Sequence, residues 1–137
     1  MGYAVPAAIA AKLVYPKKTV VSFNGDGCFM MLGQEIINAV ENKLNPIFII
    51  INNKKLGTIR MHQERNFPKR IIGTDILNPD FIALANAYGI DAYRVTETAE
   101  FGDVFEKAKV SQSATLIELI IEPNVLGPAL EIGKNIG

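Results

Sequence analysis

The chain has 137 residues, 14 basic and 14 acidic side chains, no net charge and a pI near 6.6. This length predicts a single domain, 1–137, with room for a buried core. The charge balance gives no electrostatic reason to expect nucleic acid or an anionic membrane as a partner. The longest aliphatic run is about five residues, far shorter than the ~20 residues that cross a bilayer. The single cysteine and the lack of an Asn-x-Ser/Thr site favour a cytoplasmic location.

Predicted helices and strands alternate along the first half of the chain. Pro6 fits the first turn of a helix that ends near Val14. A strand over 19–23 leads into an acidic turn, a helix over 29–42 and a second strand over 47–51. Because a parallel pair of strands is usually connected by a helix, this half is typical of a βαβ unit.

The second half continues the alternation. A short helix is predicted over 57–66, and a second helix begins at Asn78-Pro79-Asp80 and ends at Tyr88 before a left-handed Gly89. A strand over 92–95 is followed by a helix over 99–109, for which Thr96 or Thr98 is the N-cap. A turn at 111–113 leads into the last strand, over 115–121. The tail over 124–137 is predicted to form either a short helix or no regular structure. With 49% hydrophobic residues, the pattern predicts an α/β fold: a doubly wound, Rossmann-like, mostly parallel sheet with helices on both faces.

Two polar turns follow the first two strands. Gly25-Asp26-Gly27-Cys28 comes after one strand, and Asn52-Asn53 comes at the end of the other. The carboxyl ends of parallel strands share one edge of a sheet, where open α/β folds bind ligands. A carboxylate and an amide oxygen beside glycines suit a divalent cation that carries a diphosphate, although Asp26 alone is compatible with an ordinary Asp-Gly turn. A dinucleotide fingerprint would need glycine in place of Met30, and the Gly-Lys-Ser/Thr triplet of a P-loop is absent.

Several segments, in this order, resemble thiamine diphosphate (ThDP) enzymes. Besides the two turns, they are Met1-Gly2-Tyr3-Ala4-Val5-Pro6-Ala7-Ala8, Asn78-Pro79-Asp80-Phe81 and Ala85-Asn86-Ala87-Tyr88-Gly89. The chain is similar over most of its length to the C-terminal, diphosphate-binding domain of the branch that contains acetolactate synthase and the 2-oxo acid decarboxylases. The resemblance implies ThDP and Mg²⁺ as cofactors, with the ion held by Asp26, the side-chain oxygen of Asn53 and the backbone carbonyl of Lys55. Three protein oxygens would leave room for two diphosphate oxygens and a water.

The resemblance also implies contacts to the rest of the cofactor. The residues concerned are Met1, Gly2, Gly25, Asp26, Gly27, Cys28, Asn53, Leu56, Gly57 and Thr58. Met1 stands where the family places a bulky apolar residue under the cofactor, with a frayed terminal residue or an initiator methionine as the alternative. Cys28 would lend its backbone N–H, with a reactive thiol at a helix N-terminus as the alternative.

His62, the only histidine, lies near the substrate contacts of the family and is a possible catalytic residue. A surface or packing role is the alternative for this side chain. His62 and Thr58 replace a tryptophan and a methionine that are usual in acetolactate synthases. The resemblance therefore implies the cofactor rather than that specific reaction.

By resemblance, the chain is a domain or subunit of an enzyme that decarboxylates a 2-oxo acid, ligates the resulting enamine to a second carbonyl, or does both. The catalytic glutamate of the family belongs to a separate pyrimidine-binding domain, and Glu35, Glu41 and Glu64 lack its context. The chain is therefore expected to be truncated at its N-terminus and inactive in isolation. It would be a fragment of a longer polypeptide or a subunit of a split enzyme, of which we favour the fragment.

The expected partners are a pyrimidine-binding domain, in cis or as a second subunit, further copies in a dimer or tetramer, and a small 2-oxo acid. Use of FAD by a middle domain is left open. The alternative function is a non-catalytic metal–diphosphate binding or assembly module. A nicotinamide dehydrogenase is disfavoured because the third glycine of the dinucleotide fingerprint is missing.

Overall fold

The computed structural model describes residues 1–127 together with residues 130 and 131. The helices are α1 (Ala4–Val14), α2 (Asp26–Leu32), α3 (Ile36–Glu41), α4 (Gly57–Asn66), α5 (Phe81–Ala87) and α6 (Thr98–Val110). The strands are β1 (Val21–Gly25), β2 (Ile47–Asn52), β3 (Asp91–Val95), β4 (Thr115–Ile120), β5 (Val125–Gly127) and β6 (Leu130–Glu131). No helix in these described ranges combines the length and the hydropathy that crossing a bilayer requires.

Four parallel strands form the main sheet in the order β1-β2-β4-β3. β1 pairs with β2 from Val21 opposite Ile47 to Gly25 opposite Ile51, while β4 pairs with β2 on one side and with β3 on the other. The central strands β2 and β4 are mostly buried, as expected for parallel strands that are covered on both faces. Since all four strands run in the same direction, their carboxyl ends lie at one edge of the sheet.

Helices cover both faces of this sheet. On one face, α1, α2, α3 and α5 enclose a core that includes Phe29, Phe48 and Phe81. On the other face, α6 packs against a second core that includes Ile49 and Ile117. Successive residues of β2 therefore alternate between two buried layers, with the period of two that a strand requires. The predicted doubly wound α/β sheet with helices on both faces is confirmed.

The connection between β1 and β2 is not the single helix over 29–42 that the sequence predicts. α2 begins at Asp26, a 3-10 turn occupies Gly33–Glu35, and α3 ends at Glu41. The ring of Phe29 lies against Gly33 so closely that a Cβ atom on this glycine would be 2.6 Å from a ring carbon. The α-helical pattern is interrupted at the position where only glycine leaves room for the ring.

The C-terminus of α3 is closed by a residue in the left-handed conformation. Lys43 has a φ of 52°, and the backbone N–H groups of Lys43 and Leu44 donate to the carbonyls of Val40 and Ala39 at 3.0 and 2.8 Å. This pair of hydrogen bonds is the Schellman motif, in which glycine is the usual residue at the position of Lys43.

Some predicted boundaries are wrong. β1 begins at Val21 rather than at position 19 and continues to Gly25, because Asn24 and Gly25 pair with β2 in spite of their low strand propensity. Where the tail over 124–137 is described, it forms the antiparallel pair of β5 and β6 instead of a helix. Its other residues lie outside the described ranges.

The N-cap of α6 is neither Thr96 nor Thr98. Glu97 is the N-cap residue, and the Glu100 side chain accepts from the backbone N–H of Glu97 at 3.1 Å. The backbone N–H groups of Thr96 and Glu97 lower the pKa of Glu100. The predicted helix over 57–66 agrees with α4, and Gly89 after α5 has the predicted left-handed conformation, with a φ of 75°.

Candidate cofactor site

A cleft of about 520 Å³ opens at the carboxyl ends of β1 and β2. Its walls contain all the residues that the resemblance assigns to the cofactor or metal except Gly2: Met1, Gly25, Asp26, Gly27, Cys28, Asn53, Lys55, Leu56, Gly57 and Thr58. Apolar side chains that the sequence analysis did not identify complete the walls: Ile51, Ile59, Ile121 and Val125. The structure therefore brings the two polar turns into one cavity.

The Asp26 carboxylate is buried, with 2% of the residue exposed, and three N–H groups donate to it. Oδ1 accepts from the Gly27 backbone at 2.8 Å, whereas Oδ2 accepts from the Lys54 backbone at 2.8 Å and from the Asn78 amide at 2.7 Å. Among the described residues, no basic side chain forms an ion pair with Asp26. Since each oxygen has two lone pairs, Oδ2 is saturated and Oδ1 keeps one free. Buried charges in proteins are paired or coordinate metals, so this oxygen is a candidate cation ligand.

The turn after β2 provides two further oxygens. Asn53 Oδ1 accepts from the Lys55 backbone at 3.0 Å and keeps one lone pair. No N–H group in the described part of the chain donates to the Lys55 carbonyl. Lys54, between these residues, has a φ of 55° and is fixed there by a 3.0 Å hydrogen bond from Ile76 to its carbonyl.

The segment over 54–56 is also held from outside by the segment over 74–76. Leu56 donates its backbone N–H to the Thr74 carbonyl at 2.8 Å, and the Lys55 ammonium pairs with the Asp75 carboxylate. The Lys55 ammonium lowers the pKa of Asp75. The charged end of Lys55 is therefore engaged with Asp75, while the residue itself lines the cleft.

These oxygens are suited to a hard cation such as Mg²⁺, which binds carboxylate, amide and carbonyl oxygens. Across the described residues, no three histidine, cysteine, aspartate or glutamate side chains form a group that could hold a metal. A cation at this edge of the sheet would therefore depend on one carboxylate, one side-chain amide and one carbonyl. Asp26 Oδ1 and Asn53 Oδ1 each keep an unused lone pair, and the Lys55 carbonyl has no backbone donor among the described residues.

A second cleft of about 390 Å³ at the same edge contains residues that the sequence analysis did not assign to the site. Its lining is Asn52, Lys54, Asn78, Pro79, Asp80, Arg94, Glu118 and Ile120. Glu118 is 2% exposed; it accepts from the Asn52 amide at 2.6 Å and from Arg94 Nε at 2.7 Å, and it raises the pKa of Arg94. The sequence could have indicated this second cleft through Glu118, the single acidic residue inside the apolar strand over 115–121, since a buried charge requires partners.

Gly2 and His62, two residues predicted for the site, do not line the cleft of about 520 Å³ described first, which is called the main cleft below. Gly2 has a φ of 75°, and a Cβ atom on it would lie 3.3 Å from Met31 Cβ, so it packs closely against α2. His62 is exposed on α4, its ring hydrogen-bonds Arg65 at 2.9 Å, and it lines neither cleft. Met1 does line the main cleft, although the residue is 69% exposed.

Comparison with known proteins gives relatives along almost the whole chain. Residues 1–119 match the family described as thiamine pyrophosphate enzyme, C-terminal TPP binding domain. The chain is 36% identical over 142 residues to the acetolactate synthase large subunit of Corynebacterium glutamicum, an alignment that covers 98% of this chain and 23% of that protein. It is 32% identical over 123 residues to the acetolactate synthase isozyme 2 large subunit of Escherichia coli K12, covering 89% of this chain and 22% of that protein.

A solved structure has a similar fold. The Rhodococcus jostii RHA1 thiamine diphosphate-dependent 4-hydroxybenzoylformate decarboxylase is similar with a TM-score of 0.84 and 29% identity, over 89% of this chain and 23% of that chain. The chain thus spans less than a quarter of the length of the relatives it matches here. The resemblance predicted from the polar turns is confirmed, and the chain belongs to the family of C-terminal thiamine pyrophosphate-binding domains of thiamine pyrophosphate enzymes.

Proposed function

We propose that this domain binds the diphosphate of ThDP through a Mg²⁺ ion and forms half of the active site of a larger enzyme. The observation that carries the proposal is the buried Asp26 carboxylate, which has only N–H donors around it and one unused lone pair. Asn53 and Lys55 would supply the other two protein oxygens. Mg²⁺ takes about six oxygens, so about three positions would remain for diphosphate oxygens and water.

The walls of the main cleft suit the two parts of this cofactor. Gly25, Gly27 and Gly57 have no side chain, so a diphosphate can approach the backbone closely at these positions. Leu56 and Ile51 contribute apolar surface beside them. These side chains would exclude water from the part of the cofactor that lies next to the diphosphate.

The reaction we propose is decarboxylation of a 2-oxo acid, with or without ligation of the product to a second carbonyl. The bound cofactor supplies the carbanion-stabilising chemistry, while the residues of this chain hold the metal and orient the diphosphate. The support is that the relatives above are named as acetolactate synthases and as a 4-hydroxybenzoylformate decarboxylase. Turnover would also require a pyrimidine-binding domain, in the same polypeptide or in a second subunit, within a cytoplasmic homo-oligomer.

The experiment is calorimetric titration of the full-length protein with ThDP in saturating MgCl₂, for the wild type and for Asp26→Ala and Asn53→Ala. Each substitution removes one metal oxygen, so the charge of the diphosphate loses its counter-ion. We expect both variants to remain folded and to lose Mg²⁺-dependent ThDP binding.

Matched controls come from the opposite edge of the sheet. Asp91, at the start of β3, accepts from Ser111 Oγ at 3.1 Å, and Asn45, before β2, donates to the Ser111 carbonyl at 2.9 Å. Asp91→Ala and Asn45→Ala remove the same two chemical groups far from the cleft and should bind ThDP as the wild type does. Wild-type affinity in Asp26→Ala or Asn53→Ala would contradict the metal site.

A further inference from the structure

A continuous series of side-chain hydrogen bonds crosses the sheet beneath the candidate metal site. Arg94 Nε donates to Glu118 Oε2 at 2.7 Å, and Asn52 Nδ2 donates to Glu118 Oε1 at 2.6 Å. Asn78 Nδ2 then donates to Asn52 Oδ1 at 2.9 Å and to Asp26 Oδ2 at 2.7 Å. The series connects β3, β4 and β2 to the carboxylate that follows β1.

The direction of every hydrogen bond in this series is fixed from the Glu118 end. An ionised carboxylate only accepts, and Arg94 occupies one of its oxygens. Asn52 must therefore turn its NH₂ group towards Glu118 and its Oδ1 towards Asn78, where that oxygen also accepts from the Lys54 backbone at 3.2 Å. Asn78 in turn must present its NH₂ group, because its two neighbours, Asn52 Oδ1 and Asp26 Oδ2, are both acceptors.

Asn78 adopts this orientation at the expense of its own oxygen. Asn78 Oδ1 is buried and accepts no hydrogen bond within the described residues. Buried polar atoms are normally satisfied, so an orphaned acceptor indicates that the opposite end of the amide is needed where it is. The reverse orientation would place Oδ1 against the Asp26 carboxylate and against Asn52 Oδ1.

As a consequence, the two carboxylate oxygens of Asp26 differ in the number of lone pairs that remain free. The Lys54 backbone and Asn78 fill both lone pairs of Oδ2, while the Gly27 backbone fills only one of Oδ1. If Asn78 were lost, Oδ2 would regain a free lone pair and the carboxylate would lose a donor that fixes its rotation. The free lone pair available to a cation would then no longer be confined to Oδ1.

We propose that Asn78 is a positioning residue for the metal-binding carboxylate, and that Glu118, acting through Asn52, sets the direction of its amide. The inference rests on the proposed function, since it concerns the Mg²⁺ ligand Asp26. Partners that hydrogen-bond a metal ligand typically change metal affinity by about 10–100-fold when they are removed.

The test measures the apparent dissociation constant of Mg²⁺ at a fixed, saturating concentration of ThDP, by calorimetry on the full-length protein. For Asn78→Ala we expect Mg²⁺ binding that is about 10–100-fold weaker. ThDP affinity in saturating Mg²⁺ and the thermal midpoint of the apoprotein should remain close to those of the wild type. Mn²⁺, which generally binds such ligands more tightly than Mg²⁺, should restore ThDP binding at lower metal concentration. A purely structural role would lower the thermal midpoint without this dependence on metal.

Two further variants distinguish a positioning role of Asn78 from a purely structural one. Asn45→Ala removes an equivalent side-chain amide at the opposite edge of the sheet and should not change Mg²⁺ affinity. Glu118→Leu has a similar volume but removes both acceptor oxygens, so no acceptor then fixes the direction of the Asn52 amide. It should weaken Mg²⁺ binding in the same sense and decides the matter if Asn78→Ala does not fold.

The outcomes separate this inference from the proposed function. If Asp26→Ala abolishes Mg²⁺-dependent binding while Asn78→Ala and Glu118→Leu retain wild-type Mg²⁺ affinity, the positioning role is refuted and the metal site stands. If Asp26→Ala itself binds Mg²⁺ and ThDP normally, the proposed function fails and the positioning role fails with it.

Discussion

Replacing Gly27 with alanine should weaken cofactor binding while leaving the stability of the fold nearly unchanged. Gly27 lies in the first turn of α2 and lines the main cleft. A Cβ atom at this position would lie 2.9 Å from Leu56 Cδ2 and 3.5 Å from Ile76 Cδ1. Because Leu56 lines the same cleft, its displacement would change the apolar surface that we assign to the part of the cofactor beside the diphosphate.

In Gly27→Ala, the loss of stability from the displaced Leu56 side chain and the gain from removing a helical glycine nearly cancel. Carbon atoms in contact are normally about 3.5–4.0 Å apart, so the Leu56 methyl group must move by about 0.6–1.1 Å. Forcing a side chain off its rotamer costs about 0.5–1.5 kcal/mol, whereas replacing glycine by alanine within a helix stabilises by about 0.5–1 kcal/mol. The free energy of unfolding should therefore change by less than about 1 kcal/mol. For ThDP we expect about tenfold weaker binding, which corresponds to ~1.4 kcal/mol of lost interaction.

The assay is denaturant unfolding of the apoprotein, together with calorimetric titration with ThDP in saturating Mg²⁺. Gly102→Ala is the matched control, because Gly102 also lies within a helix, α6, and a Cβ atom there would meet no atom within 4 Å. The control should gain about 0.5–1 kcal/mol of stability and keep its ThDP affinity. The reasoning would be refuted if Gly27→Ala gained the same stability as Gly102→Ala and bound ThDP as tightly as the wild type.

Two other predictions concern the scaffold. Lys43→Gly should raise the free energy of unfolding by about 1 kcal/mol, because it relieves the left-handed conformation of a non-glycine residue at the end of α3. If denaturant unfolding shows no gain in stability, or a loss, the result would count against the Schellman motif. The protein should also self-associate or bind a pyrimidine-binding domain, because large apolar side chains are exposed at Tyr3, Phe23, Met30, Met31, Leu32 and Ile37. Light scattering that finds a monodisperse monomer at high concentration would contradict this.

The sequence predicted the fold class and the meeting of the two polar turns at one edge of the sheet, because both depend on local patterns. The apolar run over 47–51 predicts a buried strand in any context, and the polar residues after it could only lie at a sheet edge. Asn24 and Gly25 lie outside the strand predicted over 19–23, and asparagine and glycine have low strand propensity. Their inclusion in β1 depends on pairing with Ile50 and Ile51, which are distant in sequence.

The hydrogen-bond partners of the site residues could not be predicted in the same way. Asn52 was identified only as the neighbour of Asn53, yet its side chain points into the polar series while Asn53 lines the main cleft. The contact of Asn52 with Glu118 depends on the strand order, in which β4 lies beside β2 although β3 precedes it in the chain. Neither the spacing nor the composition of the segments encodes that order.

The wide sequence separation of the site contacts has a consequence for how the protein acquires its ligand during folding. Asp26 is joined to Lys54 and Asn78 across 28 and 52 positions, and Asn52 is joined to Glu118 across 66. Contacts of this range form late, because the intervening chain must first be brought together. Glu118 lies on β4, the strand that inserts between β2 and β3 and completes the main sheet. A nascent chain that ends before β4 would therefore already contain Asp26, Asn53 and Lys55, but it would lack the Glu118 acceptor opposite the Asn52 amide.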